Sequence, residues 1–180
     1  LSLSGRTRFR KEPITAGDDS YESKVERMLG KPQYGWSDFQ LEHTSIYSLS
    51  YLDDIAFEWV EQAIHGLESM RPFCVKGFLE PNRLLCVVSY WNCHIICENE
   101  ERYPLEKEDV VSECSHTSML QFCKCLWEDI GKNVEEWASF PAVEDMDIRK
   151  RQKQLLKKLE KLRGLIDERA AWFDEGKGFL

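Results

Sequence analysis

Cys114-Ser115-His116 and Cys123-Lys124-Cys125 are the side chains of this sequence best suited to a zinc ion. Zinc fingers and ribbons space each ligand pair by roughly two to four residues, so that both members turn onto one ion. Here a single residue separates each pair, and the second pair falls in a predicted helix. Residues two apart on a helix point about 200° from each other, so this pair is poorly placed to chelate. Cys93 and His94 set a thiol beside a base, the parts of a nucleophilic pair. They fall in a predicted strand, where neighbours point to opposite faces. Only a distant histidine could then serve Cys93, since such partners are neighbours in space rather than in sequence. The expectation is structural cysteines, with no metal and no cofactor.

Carboxylates occur as adjacent pairs at Asp53/Asp54, Glu100/Glu101, Glu135/Glu136 and Glu144/Asp145. General acid work needs a carboxyl raised by burial, and all four pairs stand in polar surroundings. The phosphate-binding pattern Gly-x-x-x-x-Gly-Lys-Ser/Thr does not occur, nor does Gly-x-Gly-x-x-Gly after a strand, nor Gly-x-Ser-x-Gly. Nucleotide enzymes and hydrolases built on those loops are disfavoured. The reading is a binding protein, not an enzyme.

Charge says more about partners. Arg149 to Arg163 holds eight basic residues and one acid, Glu160. Subtracting that +7 from the chain's −8 leaves −15 on the rest. Two acidic stretches form the candidate partner surface. One carries Glu98, Glu100, Glu101, Glu106, Glu108 and Asp109; the other carries Glu128, Asp129, Glu135 and Glu136. An acidic surface complements a basic protein and speeds its encounter. The alternative is a nucleic-acid-associated regulator contacting phosphates through Lys150, Lys153, Lys157 and Lys161. A basic amphipathic helix also suits an anionic membrane. The plainest reading packs its leucines on the domain and leaves the cations to water.

These residues need elements to hold them. Residues 1–35 read as a polar arm with a short helix near Tyr21–Leu29 and a linker from Gly30 to Gly35. Residues 36–143 read as the α+β domain, and 144–180 as a basic amphipathic helix. Ile46 to Leu52 alternates with period two, which predicts a half-buried strand. Asp53 and Asp54 then cap a helix whose stripe is Ala56, Trp59, Val60, Ala63, Ile64 and Leu67. Three strands follow at Phe73–Phe78, Leu84–Tyr90 and Cys93–Cys97. The middle one reads as buried on both faces. Short connections predict an antiparallel meander. Glu98 to Glu113 reads as a solvated loop and helix start. Ser118 to Ser139 is the second long helix, weakened at Gly131 and stopped by Pro141. The fold class is α+β: about four antiparallel strands covered by two long helices, plus the basic one.

Seven cysteines, an odd count, lie mostly in apolar runs. With no secretory pattern at the start, the reading is a cytoplasmic protein with free thiols. No apolar run approaches the roughly 18 residues needed to span a bilayer.

Several short stretches carry a resemblance. They are Trp36-Ser37-Asp38-Phe39, then Ser50-Tyr51-Leu52-Asp53-Asp54 opening a helix, and the strand pair around Phe73 to Tyr90. Leu126-Trp127-Glu128-Asp129-Ile130 leading to Glu135-Glu136-Trp137 completes it. Over residues 36–140 the chain resembles a group of small cytoplasmic bacterial proteins of unknown function. Some of them lie beside polymorphic toxin genes and are regarded as immunity proteins. The resemblance implies a non-catalytic inhibitor that occludes a toxin, and it brings no catalytic motif. The arm and the last helix lie outside it.

Overall fold

The computed structural model describes residues 27–98, 110–141 and 146–174. Among these the order is β1 (Trp36–Phe39), β2 (Tyr47–Ser50), α1 (Ile55–Ser69), β3 (Phe73–Phe78), β4 (Arg83–Val88) and β5 (Cys93–Glu98). Then come β6 (Val110–Ser115), α2 (Met119–Lys132), α3 (Val134–Ala138) and α4 (Ile148–Asp174). The fold is α+β. β3-β4-β5-β6 form an antiparallel four-stranded sheet, and β1-β2 form a two-stranded one.

Alternation builds the larger sheet. Phe73, Val75, Leu84, Cys86, Val88, Cys93, Ile95 and Cys97 point inward and are buried. Their neighbours point outward, where register sets Cys74, Val87, His94 and Cys114 in one row. β4 is therefore not buried on both faces, as its apolar run suggests. Leu85 is exposed and Val87 half-buried, because no described helix lies over that side. Antiparallel sheets tolerate one open face in this way.

Helices cover one end of the inner face. Trp59 of α1 stacks on Phe122 of α2 at 6.1 Å, and Phe122 meets Phe73 of β3 edge-on at 5.9 Å. Trp59 Nε1 also donates to the Lys76 carbonyl at 2.7 Å. Gly66 lets this approach happen: a Cβ there would strike the Phe73 ring. The small sheet covers the other end. Leu49 of β2 sits where a side chain on Gly77 would be. Tyr47 donates to Glu113 of β6 at 3.0 Å, and Ser45 donates to the same carboxylate through both N–H and Oγ.

The folded body begins by Met28, not at Trp36. Met28 and Leu29 are buried, and Leu29 and Gln33 bridge antiparallel to Phe39 and Trp36. The stretch that reads as a linker is thus a third short ribbon beside β1. Helix ends follow local chemistry. Ser118 and Gln121 form a reciprocal capping box on α2, which satisfies two free N–H groups. Asp54 stands at the start of α1 but its side chain caps nothing; its carboxylate goes to Arg151 instead. The predicted Ser118–Ser139 helix breaks at Asn133 into α2 and α3. Asp147 precedes α4 and accepts the Lys150 N–H at 3.0 Å. α4 packs along α1, α2 and α3, burying Leu155, Leu159, Leu162, Ile166 and Phe173. No helix among the described residues is long and apolar enough to cross a membrane.

Candidate functional site

The buried thiols are disposed for packing rather than attack, while Cys74 and Cys114 lie exposed on the outer sheet face. Cys93 is fully buried and its Sγ donates to the Thr117 carbonyl at 3.2 Å. His94 lies on the other face, against Ser112 at 2.6 Å. The hydrogen bond with Cys93, together with burial, pushes the Cys86 thiol up. Burial pushes Cys123 up as well, and takes Cys97 and Cys125 to about 11. Such thiols stay protonated at neutral pH and are poor nucleophiles. Cys123 points into the core while Cys125 is half-buried and Cys114 exposed. Among the described residues no three His, Cys, Asp or Glu side chains converge on a metal position.

The described acidic candidates lie on different elements. Glu100, Glu101, Glu106, Glu108 and Asp109 lie outside the described residues. Glu98 closes β5, on the sheet, whereas the others ride on α2 and α3. Glu128 pairs with Lys132 at 3.6 Å, and Glu136 with Lys31 at 2.6 Å. That hydrogen bond from Lys31 holds the Glu136 carboxyl below its usual range. Glu135 is exposed. Asp129 is not a surface residue at all. It is 3% exposed, and one oxygen, Oδ2, accepts the N–H groups of Met28 at 2.8 Å and Leu29 at 2.9 Å. Burial raises its pKa, with the two backbone donors pulling the other way. Its position on the inner side of α2 makes it a clamp for the N-terminal ribbon.

The basic candidates divide too. Lys161 pairs with Glu68 at 2.6 Å and Lys158 with Glu61 at 3.3 Å, both across to α1. Arg151 reaches Asp54 at 2.7 Å and the Ala138 carbonyl at 3.0 Å, with its guanidinium 4.2 Å over the Phe57 ring. Arg149, Lys150, Lys153 and Lys157 are exposed. They line one side of the helix with Asp147 and Gln154.

One surface escaped the sequence reading. Gln33 and Trp36 exchange N–H···O bonds at 2.8 and 2.9 Å, so Tyr34 and Gly35 form a two-residue hairpin turn. Both central residues have positive φ, 51° and 81°, as the tightest hairpin turns require. Tyr34 stands 99% exposed at the tip. Trp36 (38%) beside the turn and Tyr51 (36%) and Leu52 (54%) just after β2 are exposed as well. Tyr51 N–H binds the Gly35 carbonyl at 3.0 Å, and the Tyr51 ring fills the space that a Cβ on Gly35 would enter. The readable signal was Tyr-Gly between extended segments, a hairpin pattern.

A groove of about 510 Å³ runs between α2 and α4, with Arg163 5.3 Å over the Trp127 ring. Its polar lining residues Glu128, Lys132, Glu160 and Arg163 stand at the solvent side, and Glu128 and Lys132 pair with each other. No protein-family model matches the chain, and neither a curated protein nor a solved structure matches it.

Proposed function

We propose that the chain is a non-catalytic protein-binding module, an inhibitor of the kind the immunity-protein resemblance implies, docking through the aromatic tip of the N-terminal hairpin. The observation that carries this reading is Tyr34, 99% exposed and held in a left-handed backbone conformation that a tyrosine adopts only at a cost. Together with Trp36, Tyr51 and Leu52 it makes an exposed apolar patch, costly in water and useful against a partner. Tyrosine and tryptophan dominate binding hot spots, and few rotatable bonds make them cheap to immobilise. The tip is rigid, being cross-linked by backbone bonds on both sides. The net charge of −8 supports a basic partner such as a toxin domain, with acids such as Glu135 and Glu98 steering the encounter. The inhibitor then works by covering the partner's active surface.

The test compares capture by the wild-type chain with capture by Tyr34→Ala/Trp36→Ala, at moderate salt, after confirming that both melt alike. The expected result is one stoichiometric basic polypeptide, toxic when expressed alone and neutralised by wild type, whose binding weakens at least about 100-fold in the variant. Equal capture by both proteins removes the tip from the function. Capture of no neutralised toxin removes the inhibitor reading.

A further inference from the structure

We infer that the outward ridge of α4, made by Arg149, Lys150, Lys153 and Lys157, is a sequence-independent binding site for the phosphate backbone of a nucleic acid duplex. It lies on a different element from the aromatic tip and does not depend on that reading.

Three observations carry it. First, the helix sorts its cations. Arg151, Lys158 and Lys161 are paired across to Asp54, Glu61 and Glu68. The four ridge residues are exposed, with no ion-pair partner among the described residues. Asp147 and Glu160 are the acids nearest along the helix, and they bound the ridge at its two ends. The ridge covers about 12 Å of helix axis, the rise of roughly three or four phosphates on one strand.

Second, the opposite face of α4 is occupied. Leu155, Leu159, Leu162 and Ile166 are buried against α1, α2 and α3. That apolar stripe is therefore not available to a bilayer, which is what an interfacial helix inserts. The exposed cations of the ridge can meet a phosphate backbone. Third, no aromatic residue occurs between Ile148 and Ala171, so the ridge offers no platform on which unpaired bases could stack. Duplex phosphates remain the fitting ligand. The free N–H groups at the start of α4 add positive potential at the Arg149 end, and Asp147 takes up part of it.

The experiment measures fluorescence anisotropy of a random-sequence duplex of about 30 base pairs with the full chain, at about 50 and 200 mM salt. Four cations predict an affinity loss on the order of 100-fold between the two salts. Arg149→Gln/Lys150→Gln/Lys153→Gln/Lys157→Gln should abolish binding at low salt. Lys153→Gln/Lys157→Gln should lower affinity roughly tenfold at low salt and halve the salt slope. Lys158→Gln/Lys161→Gln, which removes paired cations, should stay within about twofold of wild type. All substituted ridge residues are exposed, and thermal melts check folding; the double variant serves if the quadruple one does not fold. Absence of binding at low salt overturns the proposal. So does undiminished binding by the ridge variants, or ridge-dependent flotation with phosphatidylserine vesicles without any duplex shift.

Discussion

The acidic run on α2 and α3 and the basic run on α4 look alike in sequence, each a stretch dominated by one charge, and the fold treats them differently. The acidic run is split by depth. Asp129 goes into the core as a backbone clamp, while Glu128, Glu135 and Glu136 stay at the surface. The basic run is split by direction: no cation is fully buried, and the helix separates those facing α1 from those facing water. A short carboxylate can be buried if two N–H groups meet it. A long cationic side chain can lie along the surface and keep its charge in water.

If depth is what distinguishes Asp129, its removal should have the largest effect of any single charge. Asp129→Ala leaves two buried N–H donors unsatisfied, and this should cost about 2–5 kcal/mol in urea unfolding. The loss should appear first as exposure of Met28 and Leu29 to hydrogen exchange. A cost below about 1 kcal/mol would mean that water replaces the carboxylate, and the contrast between the two runs would fade.

Arg151 is the basic residue nearest to such a role. Its side chain is 19% exposed and its partner's 27%. Arg151→Ala strands the Asp54 carboxylate, whose Oδ1 has no hydrogen-bond partner among the described residues, and strips the guanidinium from Phe57. An expected loss of about 1–3 kcal/mol places it between a buried and a surface pair. A loss equal to that of Asp129→Ala would erase the distinction between splitting by depth and by direction.

The division was legible only in part. The α+β class and the β3-β4-β5 meander follow from alternation and short turns, and all six stripe residues of α1 are buried. β6 was not legible, because Val110–Ser115 follows a run of acids and puts Glu113 on its inward side. That glutamate is accommodated by Ser45 and Tyr47, more than 60 residues away. The burial of Met28 and Leu29 depends likewise on Asp129, about 100 residues distant. Local pattern cannot show which of four acids on two helices meets such donors, nor which lysines of a uniformly basic helix face α1. Those facts belong to packing.

The clamp also has a pH signature. Asp129 has a raised pKa in the fold, mainly through burial. Its favourable contribution is therefore fully present below the ordinary carboxylate range and is lost as pH rises through the raised value. Asp129→Asn can place a single carbonyl oxygen where Oδ2 now accepts both N–H bonds, without a charge to bury. The stability of Asp129→Asn relative to wild type should then improve as pH is taken from 4 to 7, read as the difference between their urea midpoints. A constant difference across that range would show that Asp129 titrates as it does in the unfolded chain.

The smallest effect expected is at the paired cations. Lys158 and Lys161 meet Glu61 and Glu68 at a surface where both partners remain substantially exposed. Lys158→Gln and Lys161→Gln should each cost no more than about 0.5 kcal/mol, and less as salt is raised. A double-mutant cycle of Lys161→Gln with Glu68→Gln isolates the pair, whose coupling should be a few tenths of a kcal/mol. A coupling above about 1.5 kcal/mol would mean that α4 is held to α1 by charge. The anchor then would no longer be the apolar stripe of Leu155, Leu159, Leu162 and Ile166. Direction would carry the same energetic weight on α4 that depth carries on α2.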